Sequence, residues 1–235
     1  MLKKTIILSL FVSTFAFAAD KGIHVTFDID SDMGNTAAQG TTDYYFQNGD
    51  LRADVNMRHS TIDNVVMIQN AGKLYTLFPK DKTYMEVPQF LTDAAANLTK
   101  EKETGTFKQT KQKKKIAGHE CTVYKKETST SIDTVCVNQP LYAKYKDLFT
   151  SMNKVMANQN AFASVEGFPL EASSVGKGKD KSRTSILVKK VDEQNFTGKF
   201  DLPKDYTQKN ALSGAAELLK KMQSGESAAT KGKTR

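Results

Sequence analysis

The chain has 235 residues, of which 39% are hydrophobic and 26% are charged, a balance that is typical of globular proteins and excludes disorder over the whole length. Its formal net charge of +8 includes Lys3 and Lys4 near the start of the chain, and a basic chain can attract an anionic partner. Nucleic acid is disfavoured as that partner, because the basic residues are not interleaved with aromatic ones and no recognition motif occurs.

The first predicted element is a secretory leader over residues 1–18. It combines Lys3 and Lys4 with an apolar stretch and ends in the small residues Ala16 and Ala18. Signal peptidase requires this arrangement, and the apolar stretch is too short to span a bilayer comfortably. The sequence therefore predicts cleavage after Ala18 and a periplasmic or secreted mature protein.

A meander of about six short β-strands is predicted before residue 90. In its first strand, GIHVTFDID, the residues Val25, Phe27 and Ile29 alternate with polar ones. This period of two is typical of a strand with one apolar face.

The clearest turn signal in the meander is Asn48-Gly49, because both residues tolerate the positive φ of a type I′ turn. A hairpin at this point pairs Phe46 with Leu51 and Tyr44 with Ala53. Two further turns are predicted, at residues 70–72 and 79–82.

Helices are predicted in three places. Alanines favour a short helix from Pro88 onward, and residues 140–160 place apolar side chains at helical spacing on one side. The latter helix is expected to cover the open face of the sheet. A further helix is predicted over 208–224 and a disordered basic tail over 225–235. With two late strands, RTSILVKKV and FTGKFDLP, the expected fold class is α+β, an antiparallel sheet covered on one side by helices.

The two cysteines, Cys121 and Cys136, lie in two β-rich segments, GHECTVYKKE and SIDTVCVNQ. Folding these segments about Thr128 and Ser129 sets the cysteines directly opposite each other, at a distance that a disulfide can bridge. Export favours oxidation, and no CxxC spacing supports a reactive dithiol. We therefore predict a structural disulfide.

A basic run precedes this hairpin, formed by Lys108, Lys111, Lys113, Lys114 and Lys115. Such a run attracts an anionic membrane surface or an acidic protein. It is also typical of a solvated edge strand on which lysines prevent aggregation, and this second interpretation is favoured.

Residues for catalysis are scarce, since the histidines are only His24, His59 and His119. His119, Glu120 and Cys121 are consecutive, but successive side chains of a strand point to opposite faces, and Cys121 is expected to be oxidised. We therefore predict neither an enzyme nor a metal site, and no cofactor.

The segment DIDSDMGN places Asp28, Asp30 and Asp32 at alternate positions, as in a calcium-binding loop. Gly34 comes one position late for such a loop, and Gln39 stands where the terminal glutamate belongs. A polar turn after a strand is the favoured interpretation.

Three short motifs together resemble an uncharacterised exported bacterial domain family. They are an IAGxxCxxY strand, a GxPL turn and an F.LP..Y ending, at Ile116, Ala117, Gly118, Cys121 and Tyr124; Gly167, Pro169 and Leu170; and Phe200, Leu202, Pro203 and Tyr206. The family is similar in strand layout to LolA/LolB-like lipoprotein carriers. The resemblance implies a single half-barrel domain over 19–207 whose apolar concavity is plugged by helices and holds acyl chains.

The function expected from these features is non-enzymatic binding of a lipid or acyl chain in the half-barrel. The alternative is a structural or protein-interaction component of the cell envelope with a filled core. The candidate lining residues are Val25, Phe27, Ile29, Tyr44, Phe46, Val66, Ile68, Leu148, Met152 and Met156.

Overall fold

The computed structural model describes residues 21–32, 37–58, 64–88, 105–146, 165–178 and 182–211. Within these residues lie twelve strands and one regular helix. The strands are β1 (Gly22–Asp32), β2 (Ala37–Gln47), β3 (Asp50–Arg58), β4 (Val65–Asn70), β5 (Lys73–Phe78), β6 (Thr83–Val87), β7 (Lys108–Ile116), β8 (His119–Glu127), β9 (Ser131–Asn138), β10 (Phe168–Gly176), β11 (Arg183–Gln194) and β12 (Thr207–Gln208), and the helix is α1 (Gln139–Lys144).

All the strands belong to one large, curved, open sheet with the order β12-β6-β5-β4-β3-β2-β1-β11-β10-β9-β8-β7. Two antiparallel meanders, β1 to β6 and β7 to β11, join where β1 pairs with β11. Only β12 is parallel to its neighbour, β6, within the part of the chain that is described. The sheet thus ends at β12 on one side and at β7 on the other.

The predicted α+β class, with helices covering one side of the sheet, is wrong: the described residues are nearly all strand. Helix α1 begins where predicted, with Asn138 as its N-cap and Pro140 in its first turn, but it ends at Lys144. The other predicted helical residues lie outside the described ranges, apart from Pro88, Tyr145, Lys146 and residues 208–211. Of these, Tyr145 caps the end of α1 and Gln208 belongs to β12.

Three two-residue hairpin turns share one backbone conformation. The φ angles are +55° and +88° at Asn48–Gly49, +49° and +79° at Ala71–Gly72, and +48° and +83° at Ala117–Gly118. Positive φ at both positions is the mark of the type I′ turn, whose twist matches that of the flanking strands. The turn predicted at Asn48-Gly49 is confirmed, as are the predicted cross-strand partners of Tyr44 and Phe46.

The predicted disulfide is present, with the Cα atoms of Cys121 and Cys136 5.4 Å apart. The predicted register of its hairpin is wrong, because Val123 rather than Cys121 lies opposite Cys136. The two cysteines are therefore diagonal neighbours on one face of the β8–β9 pair, still within bridging distance.

The chemistry of the turn explains this shift. The hydroxyl oxygen of Thr128 accepts hydrogen bonds from the backbone N–H groups of Thr130 and Ser131, at 3.2 and 2.9 Å. The N–H of Thr128 also donates to the carbonyl oxygen of Ser131 at 3.0 Å, so the capped turn is centred on Ser129 and Thr130, one residue later than the sequence suggested.

Most of the buried apolar residues on β1 to β3 and β8 to β11 form one group, which we call the main cluster. Its members are Ile23, Val25, Phe27, Tyr44, Leu51, Ala53, Cys121, Val123, Cys136, Leu141, Phe168, Leu170 and Val188. Because Tyr44 belongs to it and Tyr45 does not, the main cluster occupies one side of β2.

The opposite side of β2 to β6 is covered by residues 195–210, which we call the strap. Backbone and side-chain hydrogen bonds hold the strap in place. The Asn70 side chain donates to the carbonyl oxygen of Phe200 at 3.2 Å, and the N–H of Lys209 donates to the carbonyl oxygen of Tyr84 at 2.7 Å. Phe196 and Phe200 of the strap are buried together with Val66, Ile68 and Leu77, a group that we call the strap cluster.

The prediction of a late strand at FTGKFDLP is wrong, because these residues form the turns of the strap. Gly198 has a φ of +72°, and the N–H of Lys199 donates to the carbonyl oxygen of Phe196 at 3.0 Å. A chain that must reverse over a sheet needs such turns, and an alternation of apolar residues alone does not reveal them.

Candidate functional site

The main cluster is the candidate binding surface, and it contains most of the described residues predicted to line one. Val25, Phe27 and Tyr44 are members, and Phe46 packs against it. Ile29 is partly buried at the end of the same row and pairs with Ile186, which also packs against the cluster.

Val66 and Ile68 lie in the strap cluster and not beside the other candidate lining residues. The register explains the difference, since Met67 is the residue of β4 that lies opposite Ala53 of the main cluster. Val65 and Met67 are as apolar as Val66 and Ile68, so alternation does not show which set faces which side.

Leu148, Met152 and Met156, which were predicted to face the sheet from a helix, lie outside the described residues. In the described part of the chain, α1 lies against the main cluster through buried Leu141, with Tyr145 packed beside it. Lys144 anchors α1 to β11 by an ion pair with Glu193 at 2.5 Å. The hydrogen bond from Lys144 lowers the pKa of the Glu193 carboxyl.

The surface is chemically apolar and uncharged. Burial raises the pKa of the Tyr44 phenol to about 12, so this side chain is neutral at physiological pH. The ring of Tyr44 meets that of Phe27 edge to face, with centroids 5.4 Å apart. Such a surface suits a hydrocarbon group and offers no ionised residue to a charged one.

The disulfide lies within this surface and does not form an accessible redox centre. Cys121 and Cys136 are 2% and 0% exposed and pack among the apolar side chains of the main cluster. A thiol reagent needs access to sulfur, so the burial supports a structural role for the bond.

On the opposite side of the sheet, His24 lies in a polar network that the sequence did not predict. Its Nε2 is 2.9 Å from an Asp43 oxygen, and its Nδ1 is 3.5 Å from an Asp192 oxygen. The ring stacks on Tyr45 at a centroid distance of 4.5 Å, and Thr26 donates to Asp43 at 2.6 Å. These contacts link β1, β2 and β11.

The two metal-like sequence patterns fall on strands. Asp28, Asp30 and Asp32 belong to β1, and the polar turn predicted after the strand falls on residues 33–36, outside the described residues. Glu120 forms an ion pair with Lys113 at 2.8 Å.

A buried ion pair is the second feature that sequence reasoning missed. Lys126 and Asp133 are 3% and 4% exposed, with the Lys126 amine 3.3 Å from an Asp133 oxygen. Ser174 donates a further hydrogen bond to Asp133 at 2.6 Å, and the Lys126 amine lies 5.2 Å from the centre of the Phe107 ring. A lysine in KKE and an aspartate in SID look like surface residues in sequence, and only the β8–β9 register sets them opposite each other.

The basic run occupies β7, at one end of the strand order, as the edge-strand interpretation requires. Lys113 and Lys114 form ion pairs with Glu120 and Glu171. Within the described ranges, Lys108, Lys111 and Lys115 are exposed and have no acidic partner. This edge of the sheet is therefore positively charged.

Residues 28–206 match the domain of unknown function DUF4412. The chain belongs to this family. Several residues of the three short motifs have a structural role in this DUF4412 chain. Ala117 and Gly118 form the β7–β8 turn, Leu170 is buried, and Phe200 anchors the strap.

Solved structures similar to this DUF4412 chain differ from it widely in sequence. An uncharacterised conserved protein from Thermus thermophilus aligns with a TM-score of 0.45 at 7% identity, over 81% of this chain and 91% of that one. A LolA superfamily protein from Nitrosomonas europaea aligns with a TM-score of 0.31 at 11% identity, over 80% of this chain and 92% of that one. A chain of the Pseudomonas aeruginosa MucA/MucB complex aligns with a TM-score of 0.41 at 8% identity, over 79% of this chain and 57% of that one.

Among curated protein sequences, none matches this DUF4412 chain. Across the described residues, no helix has both the length and the apolar character that crossing a membrane requires.

Proposed function

We propose that this protein is exported after cleavage of residues 1–18 and that it binds an apolar ligand, a lipid or acyl chain, without catalysing a reaction. The ligand lies against the main cluster on the curved sheet. Its hydrocarbon part replaces protein contacts over that surface, and binding is driven by removal of apolar area from water.

One observation carries this proposal: the main cluster extends over seven neighbouring strands, β3-β2-β1-β11-β10-β9-β8, on one sheet. The only regular helix of the described residues, six residues long, packs against it. The members of the main cluster are at most 8% exposed, so an acyl chain binds by replacing protein contacts over this apolar area.

A second candidate function is a structural or interaction component of the cell envelope with a filled core. The observation that favours it is burial, since Ile23, Leu51 and Leu170 are 1%, 1% and 0% exposed. On this hypothesis protein atoms alone complete the core, and no ligand is needed.

Lipid extraction separates the two candidates. The mature protein is purified after export, extracted with organic solvent and analysed by mass spectrometry, and the delipidated protein is titrated with the fluorescent fatty acid cis-parinaric acid. We expect a co-purifying lipid and saturable binding. Absence of both would overturn the proposal in favour of the filled core.

Two neighbouring residues of β2 provide a matched pair of variants. Phe46 packs against the main cluster, whereas Tyr45 packs in the strap cluster on the other side. Phe46→Ser is expected to weaken binding of cis-parinaric acid about tenfold, the effect of losing one apolar contact of this size. Tyr45→Ser is the control and should bind as the wild type does, with circular dichroism confirming that both variants are folded.

We further propose that the basic β7 edge faces an anionic membrane surface during loading or release. Its support is charge complementarity: Lys108, Lys111 and Lys115 are exposed and have no acidic partner in the described part of the chain. Anionic lipid headgroups attract such cations at close range.

A further inference from the structure

Thr42 has a buried hydroxyl that nothing in the fold accounts for. The residue is 1% exposed, and its Oγ1 has no hydrogen-bond partner among the described residues. Burying an unpaired hydroxyl forfeits its hydration, and a valine of the same shape avoids that cost. An isosteric, strand-favouring alternative therefore exists, and the chain does not use it.

The hydroxyl belongs to the candidate binding surface. Thr42 precedes Tyr44 by two positions on β2, so its side chain lies on the side of the main cluster. Its partners across the sheet are Phe27 on β1 and Val55 on β3. Apart from the Tyr44 phenol, the neighbouring side chains on this side are apolar.

Thr42 also marks the point along these strands where burial decreases. On one side of it Val25 and Ala53 are 2% and 0% exposed. On the other side Ile29 and Met57 are partly exposed. A ligand that enters from the more exposed end places its polar group near Thr42 when its hydrocarbon part reaches the deeper residues.

We propose that the Thr42 hydroxyl is the polar anchor of the ligand site, donating a hydrogen bond to a carboxyl or ester oxygen of an acyl compound. This inference rests on the proposed function and adds a ligand class to it. The site selects acylated molecules with an oxygen acceptor over plain hydrocarbons, because only they satisfy the buried donor.

Two probes and three variants test the anchor. cis-Parinaric acid carries a carboxylate, whereas diphenylhexatriene is an apolar molecule without hydrogen-bonding groups. Thr42→Val should weaken binding of cis-parinaric acid about five- to tenfold, the effect of one hydrogen bond, and leave diphenylhexatriene binding unchanged. Thr42→Ser keeps the hydroxyl and should retain wild-type affinity for both probes.

The chain offers a matched control in Thr83 of β6, whose Oγ1 is likewise buried with no hydrogen-bond partner within the described ranges. Thr83 is outside the main cluster, so Thr83→Val should bind both probes as the wild type does. Thr42→Val should unfold at the wild-type temperature or higher, because it removes an unpaired polar atom.

Three results would overturn the inference. Unchanged affinity of Thr42→Val for cis-parinaric acid would do so while leaving the proposed function intact. Equal losses for both probes, or a lower unfolding temperature, would assign the hydroxyl to the fold. A wild-type protein that binds neither probe would remove the proposed function itself and the anchor with it.

Discussion

Ala71 and Ala117 hold a left-handed backbone conformation that alanine rarely adopts, with φ angles of +49° and +48°. Each occupies the first central position of a type I′ turn, where asparagine is preferred because its side chain tolerates this region. Asn48 shows the preferred residue in the equivalent turn of the β2–β3 hairpin.

Replacing these alanines should stabilise the protein. We expect Ala71→Asn and Ala117→Asn each to raise the free energy of unfolding by about 0.5–1 kcal/mol, by removing part of the cost of positive φ. Urea denaturation of the single and double variants measures this gain. Gly118→Ala is the matched opposite change, since it places a Cβ where φ is +83°, and should destabilise. Equal stabilities of all variants would contradict this account of the turns.

For single residues, the sequence predicted which strand positions are apolar and buried more reliably than which side of the sheet they face. The alternation in GIHVTFDID and the Asn48-Gly49 turn correctly placed Val25, Phe27 and Tyr44 together. It failed at Val66 and Ile68 because both alternating sets of β4 are apolar. The missing hydrogen-bond partner of Thr42 appears only when its surroundings are known.

Among the elements, the strap is the one with the least visible sequence signal. It follows β11, includes β12 and contacts strands that are distant in sequence: Asn195 accepts from Gln47 at 3.0 Å, and Arg52 donates to the carbonyl of Lys199 at 3.2 Å. Its F.LP..Y residues were recognised as a motif, yet its alternating apolar residues predicted a strand. Long-range contacts decide such a segment, and local pattern does not encode them.

The strap should be a major contributor to stability through Phe200, which is buried against the strap cluster. We expect Phe200→Ala to lower the free energy of unfolding by about 3–5 kcal/mol, as for other buried phenylalanines. Hydrogen exchange should show the loss of protection first in β4, β5 and β6. Lys204→Ala changes an exposed residue of the strap and serves as the control. If both variants unfold alike, the strap does not hold these strands.

In the disulfide hairpin too, the sequence predicted one feature, the bond, and not another, the register of the two strands. The predicted leader and the strand pattern were enough to pair Cys121 with Cys136, because a bridge tolerates both directly opposed and diagonal neighbours. The register itself depended on Thr128, whose hydroxyl caps the turn. The identity of the bond was thus predictable, whereas the side-chain partners across the hairpin, including Lys126 and Asp133, were not.

For the whole molecule, the two ends of the sheet differ in how they are finished. At one end the strap returns along β6, where the N–H of Thr207 donates to the carbonyl of Lys82 at 3.0 Å. At the other end β7 has a single neighbour, β8, in the described strand order, and it carries the lysine run. The register also places Lys108 directly opposite Lys125, two like charges that a partner anion would relieve.

Edge protection and membrane attraction make different predictions for these lysines. Lysines that only prevent aggregation need no partner, and their removal should promote self-association. Lysines that face a membrane should produce binding to vesicles containing phosphatidylglycerol but not to pure phosphatidylcholine. That binding should weaken as salt rises, because the attraction is screened within about 10 Å at 0.1 M salt.

The decisive variant replaces Lys108, Lys111 and Lys115 with glutamine. At about 1 kcal/mol for each lysine near an anionic surface, we expect vesicle affinity to fall about 100-fold in co-sedimentation at low salt. The control replaces three exposed lysines elsewhere, Lys189, Lys190 and Lys204, and removes the same total charge. Its affinity should fall far less, since those residues lie away from β7. Equal losses of affinity would mean that net charge alone attracts the protein to the vesicles. If the wild type does not bind vesicles and the β7 variant aggregates, these lysines serve only to protect an open sheet edge from aggregation.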